Sequence, residues 1–140
     1  KGIGPNSWGM SASISPSTGY SGHYGSHPIG VGHKLLEDGT VAPYGALSFL
    51  PFTPKESIDA LNHMYQIPGL VGEYGLYDAY SYVTKANGDL PWIGKSYLGI
   101  DKGLVLLMFE NYSTQLIWKL LHQNKSIQKG LKRLAFRQNN

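Results

Sequence analysis

A chain of 140 residues, 41% of them apolar, is long enough to bury one core and too apolar to be disordered throughout. Charged residues are only 15% and the net charge is +3, too weak a field to argue for nucleic acid. With no cysteine, disulfides, cysteine-ligated zinc and thiol catalysis are excluded.

Aromatic residues reach 12%, with ten Tyr and three Trp, side chains that join an apolar face to a polar handle. That combination suits sugar surfaces and equally suits an ordinary core. No run approaches the roughly 18 apolar residues of a membrane span. The chain opens on Lys1 and not on a start methionine, so the lack of a signal peptide carries no weight.

In chain order, residues 1–39 hold no periodic element and are rich in Gly, Ser, Pro, His and Tyr, as in the run from Gly19 to Pro28. A stretch this long without structure is either functional or a linker, and its interleaved aromatics favour function. Helical signals begin after Asp38-Gly39, a turn, with Thr40 as the cap of a short helix over 41–50 that tolerates Pro43 in its first turn. Thr53-Pro54-Lys55-Glu56 reads as a capping box opening a second helix, which Ile67-Pro68-Gly69 ends. Residues 67–100 read as Gly- and Tyr-rich loop with some short helix. Leu104 to Phe109 is apolar at every position, the mark of a helix buried on all sides. Two amphipathic helices follow, over 114–123 and 126–136. Five of the twelve basic residues (Lys125, Lys129, Lys132, Arg133 and Arg137) lie on this last stretch, as expected of a solvated terminal helix.

No strand alternation is sustained, so the pattern predicts an all-α chain of helical hairpins over 40–140 preceded by a loop region over 1–39. A wholly buried helix beside amphipathic neighbours implies two layers of helices. Four or five helices are too few to close such an arrangement, so part of the fold is expected to lie outside these residues.

Four clusters carry the chemistry: Ser7-Trp8-Gly9-Met10-Ser11-Ala12-Ser13; Asp38 to Tyr44 with Pro51-Phe52-Thr53-Pro54 downstream; Gly72-Glu73-Tyr74-Gly75-Leu76-Tyr77-Asp78-Ala79; and Gly99-Ile100-Asp101-Lys102-Gly103 running into Leu104 to Phe109 and Glu110-Asn111-Tyr112. In this order and spacing they resemble the glycoamylase-like family, whose members include endo-β-1,2-glucanases and whose related domains occur in cyclic β-1,2-glucan synthases. The resemblance runs from Trp8 to about Leu121. It implies an (α/α)6 toroid, of which this chain matches the C-terminal third, the missing partner being the N-terminal part of the same domain. It further implies a glycoside hydrolase acting on a β-glucan oligo- or polysaccharide, β-1,2-linked, with an inverting outcome, no cofactor, and a periplasmic or secreted setting. Three positions depart from the family pattern: Ile14 stands where Asp is usual, Leu76 where Phe is usual, and Lys102 where Gln is common.

Glycoside hydrolysis needs two carboxyl groups flanking the bond. Asp101 is the candidate base: at the N-terminus of a helix, the dipole and free N–H groups favour its ionised form, although the same position suits a plain cap. The family's proton-donating Glu falls upstream of these residues. Glu73 and Asp78, set among Tyr74, Tyr77 and Tyr80, are candidates to bind sugar hydroxyls or to orient Asp101, with bonds to loop backbone as the alternative. Glu110 reads as a paired or helix-end group. Trp8, Tyr20, Tyr24, Tyr44 and Trp92 are candidates for stacking on glucose rings, with core packing the alternative for each. Ser11 and Ser13 complete the substrate-binding set. His23, His27 and His33 are irregularly spaced and make a poor metal site. Asp101, Tyr74, Tyr77 and Trp8 are expected to converge on one open face.

Overall fold

The structure, a computed structural model, describes residues 3–17, 19–21, 39–85 and 88–137. Among them are five helices and seven short strands. The first pair, β1 (Ser13–Ser15) and β2 (Gly19–Ser21), is an antiparallel hairpin. Strand β3 (Thr40–Val41) leads into α1 (Pro43–Leu47), and α2 (Pro54–Tyr65) follows. A small hairpin, β4 (Val71–Gly72) with β5 (Gly75–Leu76), is followed by β6 (Ala79–Lys85) and β7 (Pro91–Gly94). Strand β6 is the middle of a three-stranded antiparallel sheet, with β3 on one side and β7 on the other. The chain ends in α3 (Gly99–Thr114), α4 (Leu116–His122) and α5 (Lys125–Arg133).

The all-α expectation is therefore corrected: helices dominate, but 67–100 carries four short strands separated by loops. The missed signal is Tyr80-Ser81-Tyr82-Val83-Thr84, rich in aromatic and β-branched residues, followed by the hairpin dipeptide Asn87-Gly88. Gly88 takes a positive φ of 59° between the two strands.

Helix ends also differ in detail from expectation. Thr40 lies in β3, and Ala42 occupies the cap of α1 with no side-chain bond. Thr53 does precede α2, but its hydroxyl reaches Phe49 O and Ser57 Oγ instead of a helix N–H, so the capping box does not close. The true side-chain cap is Asn124, which accepts from the N–H groups of Ser126 and Ile127 at the start of α5. The basic tail is exposed as expected.

One core lies between the helices and the sheet. Val41, Ala46, Leu47, Ala60, Met64, Ile67, Leu70, Leu76 and Tyr80 are buried together, with Trp8, Leu61, Tyr77, Tyr82, Ile93 and Val105 packed against them. Tyr80 donates to or accepts from Ser7 Oγ at 2.9 Å, and its burial pushes the phenol up to about 12. Helix α3 does not follow the expected burial on all sides. Its buried residues are two polar ones, Asp101 and Asn111, while Leu104, Leu106, Leu107 and Phe109 face solvent. Only Val105 of the apolar run packs on the core, because the described elements cover one side of the helix alone.

Gly9 welds the first cluster to the second. Its φ is +138°, and a Cβ there would sit 2.3 Å from Ala42 O, whose residue donates its N–H to Gly9 O at 2.9 Å. Gly45, in α1, faces Gly9 more loosely, a Cβ there coming 3.2 Å from the Gly9 backbone. Gly9→Ala is expected to cost on the order of 2–3 kcal/mol, because the backbone strain and the clash with backbone atoms have no flexible side chain to absorb them. A urea midpoint matching the parent's would contradict this account.

Candidate functional site

Three of the four clusters line a recess of about 230 Å³ between α1, α2, the segment after β5 and the first turns of α3, and the first cluster stands behind it, bonded to Tyr44. Its walls include Tyr44, Leu47, Leu61, Tyr77, Val105 and Phe109, and its floor carries Asp78, Asp101 and Lys102. The volume is below the roughly 300 Å³ of ordinary ligand pockets, so this is one wall of a larger cleft or a seat for a single small ring.

The charged groups arrive from two segments, Asp78 from the stretch after β5 and Asp101 with Lys102 from the head of α3. The β4–β5 hairpin turns the chain so that Tyr77 donates its N–H to Leu70 O, and Asp78 donates its own to Ser96 O. The Asp78 side chain then accepts the N–H of Ile14 at 2.7 Å, tying the β1–β2 hairpin to the site. Asp101 stands at the third position of α3, with Leu98 as the cap, so Asp101 is not itself the cap. Lys102, the next residue, donates its ammonium to Leu76 O and lies 5.5 Å from the centre of the Tyr97 ring.

Asp78 and Asp101 are 5% and 7% exposed, and Asp78 Oδ1 and Asp101 Oδ2 have no hydrogen-bond donor among the described residues. Two buried carboxyl groups that face one another cannot both ionise cheaply. Burial comes first, then a hydrogen bond with Asp78 and the charge of Asp78, and together they push Asp101 up to about 7, against the opposing pull of Lys102. The expectation that the helix N-terminus keeps Asp101 readily ionised is thus overturned: loss of water and a second carboxyl outweigh the dipole. Near neutral pH Asp101 lies close to the midpoint of its titration. It can accept a proton from a water molecule or give one up with little cost, which is what general acid–base chemistry needs.

Tyrosines ring the carboxyl pair. The Tyr44 hydroxyl donates toward Ser11 Oγ at 2.5 Å and Ala12 O at 2.8 Å, which holds the first cluster against α1. Burial raises the Tyr44 phenol, with Asp101, Tyr20 and Asp78 adding to the rise. The Tyr77 and Tyr97 rings lie 4.9 Å apart, and Tyr97 meets Tyr74 edge-on at 5.3 Å. Gly72 makes this cluster possible: a Cβ there would meet the Tyr97 and Tyr77 hydroxyl ends within 2.6 Å.

Comparison with known proteins identifies the lineage. The glucoamylase-like family model named Glycoamylase matches residues 1–125. The chain belongs to the glycoamylase-like family. A glucoamylase-family protein of Bacteroides fragilis NCTC 9343 superposes with a TM-score of 0.75 at 38% identity, covering 100% of this chain and 30% of that one. An endo-β-1,2-glucanase of Chitinophaga pinensis, solved with sophorotriose and glucose, superposes with a TM-score of 0.72 at 38% identity, covering 96% of this chain and 29% of that one. An exo β-1,2-glucooligosaccharide sophorohydrolase of Parabacteroides distasonis is 33% identical over 135 residues, 95% of this chain and 17% of that protein. The chain thus spans less than a third of the length of these relatives.

The glycoamylase-like clusters sort as follows. Asp101, Asp78, Tyr44 and Tyr77 share the recess. Tyr74 is 69% exposed at the hairpin turn and joins them through Tyr97, with Glu73 exposed beside it. Tyr20 is exposed on β2, opposite Ile14. Trp8 does not line the recess with Asp101: it packs half-buried on the core, the placement its core-packing alternative describes. Trp92 lies on β7 opposite Ser81, its ring against the bare Cα of Gly94, and it too is structural. Ser11 holds Tyr44, while Ser13 is buried with its hydroxyl unpartnered among the described residues. Glu110 accepts from Thr114 Oγ1 at 2.6 Å, a helix-end contact. Tyr24, His23, His27 and His33 lie outside the described residues. Among the described residues no group of three or more His, Asp or Glu gathers as metal ligands, and no helix is long and apolar enough to cross a membrane.

Two of the family departures are benign. Asp78 uses the backbone N–H of Ile14, so the side chain at 14 is not needed for that tie. Leu76 is buried in the core, where one apolar side chain replaces another. The reading from sequence missed Tyr97, which three contacts make central to the aromatic cluster. Its only signal was its place just before the start of α3, in a chain otherwise sparing of ring residues there.

Proposed function

We propose that this chain is the C-terminal part of a glycoside hydrolase domain that cleaves β-glucan, most directly β-1,2-linked glucan, with Asp101 as general base. The observation that carries the reading is the buried Asp78–Asp101 pair at the head of α3, opening onto a recess walled by tyrosines. The relatives whose names specify β-1,2-glucan or its oligosaccharides support the linkage. Asp101 draws the proton from the attacking water, and Asp78 aligns Asp101. Tyr44 and Tyr77 contact the sugar from the walls, with Tyr74, Glu73 and Tyr20 at the rim. Trp8, Ser11 and Ser13 act behind them, holding the first cluster in register. The proton donor on the opposite side of the glycosidic bond comes from elsewhere in the intact domain, because two inverting carboxyl groups need roughly 6.5–9.5 Å between them and Asp78 and Asp101 work as one unit.

Incubating the intact enzyme with β-1,2-glucan should release short oligosaccharides. Silence on every member of a panel of β-glucans would sink the proposal, and binding without release would favour a carbohydrate-binding scaffold of the same fold. The pH profile gives a second check. A base must be ionised to act, and Asp101 titrates at about 7. The acid limb of kcat/KM should therefore bend near neutrality and fall roughly tenfold per unit below it. Full activity persisting at pH 5 would exclude Asp101 as the base.

A further inference from the structure

Lys102 lines the recess yet has no part in the acid–base scheme above. An ammonium half-withdrawn from water is costly to keep, and burial does lower its pKa, with Asp78 and Asp101 restoring part of the loss. It is the only cation lining the recess among the described residues. One of its three protons is committed to Leu76 O, and its charge rests against Tyr97. The Leu76 carbonyl belongs to β5, two residues before Asp78, and Lys102 directly follows Asp101. The side chain therefore bridges the two segments that carry the carboxyl groups.

We propose that Lys102 is a positioning residue: its ammonium fastens β5 to the head of α3 and sets a positive charge beside the Asp78–Asp101 pair, so that the base is ionised in the working pH range. The proposal rests on Asp101 as the base. The other titratable groups around the pair are Tyr44 and Tyr65 on the helical walls, Tyr77 beside Asp78, Tyr20 on β2, Tyr97 before α3 and Glu73 at the hairpin turn. None of these side chains brings a positive charge, so among the described residues lining the recess Lys102 is the group that offsets the pair. Removing the ammonium leaves the carboxyl pair harder to ionise, and the acid limb moves to higher pH.

The test compares Lys102→Gln, Lys102→Met and Lys102→Arg in the intact enzyme acting on β-1,2-glucan. Gln and Met should raise the apparent pKa of the acid limb by about one unit, the size expected when one nearby opposite charge is lost. The alkaline plateau should stay within a few-fold of the parent. Arg should restore the parent limb. A limb that does not move in folded Gln or Met variants overturns the proposal, as does one that moves equally in the Arg variant. Carboxyl-carbon NMR titration of Asp101 in the same proteins reads the shift without turnover, so the proposal stands or falls even if Asp101→Asn keeps its activity and the base assignment is lost. Should the Gln and Met variants not fold, the parent decides: the Lys102 side-chain nitrogen must show a titration step coincident with that of Asp101, and its absence counts against the proposal.

Discussion

Asp101→Asn in the intact enzyme is expected to lower turnover on the order of a hundredfold or more while raising, not lowering, the melting temperature at pH 8. The first half follows from losing the base. The second follows from what burial does to the carboxyl group. Asp101 titrates at about 7 in the folded protein against 3.8 when unperturbed, so folding favours its protonated form. The stability linked to this group is fully present below the unfolded value, is lost as pH rises between the two, and is absent above 7. Asparagine keeps the shape, carries no charge, and offers N–H donors to Asp78, whose Oδ1 has no donor partner among the described residues. The variant should gain a few degrees at pH 8 and little or nothing at pH 4. A residue that served only to cap the helix would behave in the opposite way, with stability lower by ~1 kcal/mol and turnover barely changed. The Leu98 cap already argues against that alternative. Thermal melts at the two pH values, set beside turnover on β-1,2-glucan, separate the two cases.

The 140 residues produced by themselves are expected to be inert toward glucan and to self-associate. The chemical reason is the inventory of carboxyl groups. Among the described carboxyl groups only Asp78 and Asp101 line the recess, and they stand together on one side of it, so no acid stands across a bond from the base. Glu56 and Asp59 lie on α2, where Asp59 is bound by Lys55 at 2.6 Å, and Glu110 is engaged by Thr114. The physical reason is α3. Leu106 is 71% exposed, and Leu104, Leu107 and Phe109 face solvent beside it, with Leu116, Leu120 and Leu121 continuing the apolar surface along α4. A contiguous face of this kind finds a partner, and in isolation the nearest partner is another copy. Sedimentation or light scattering reads the association, and reducing-sugar release reads the activity. A monomeric preparation hydrolysing glucan near the intact enzyme's rate would refute both arguments together.

Much of this molecule was legible as sequence because local rules wrote it. Proline at the first position of α2, apolar spacing along it, and the solvated basic stretch of α5 are near-neighbour effects, and the helices stand within a few residues of where those effects predicted them. The four clusters were legible for a related reason: glycines, tyrosines and carboxylates at fixed offsets mark turns and a polar site, and they carry the family resemblance that the comparisons uphold. Strand β6 was harder to read. Its Ala79, Tyr80 and Ser81 are all buried, so the polar–apolar alternation that marks a half-exposed strand is absent.

What the sequence alone determined, then, is the set of helices and turns, the family, and the identity of the carboxyl group at the head of α3. Only the tertiary structure decided how that group behaves. Asp101 by its own neighbours is an ionised residue at a helix N-terminus; burial, and Asp78 from 23 positions earlier in the chain, make it hard to ionise. Trp8 by composition is a sugar platform; packing turns it into a core residue. Lys102 and Tyr97 have no local mark of function, and they acquire one because the β4–β5 hairpin brings Leu76, Tyr74 and Tyr77 against them. The reason is common to all four: helix ends and turns depend on residues a few positions apart, whereas burial, and the cost of charge that comes with it, depends on whatever the fold places overhead.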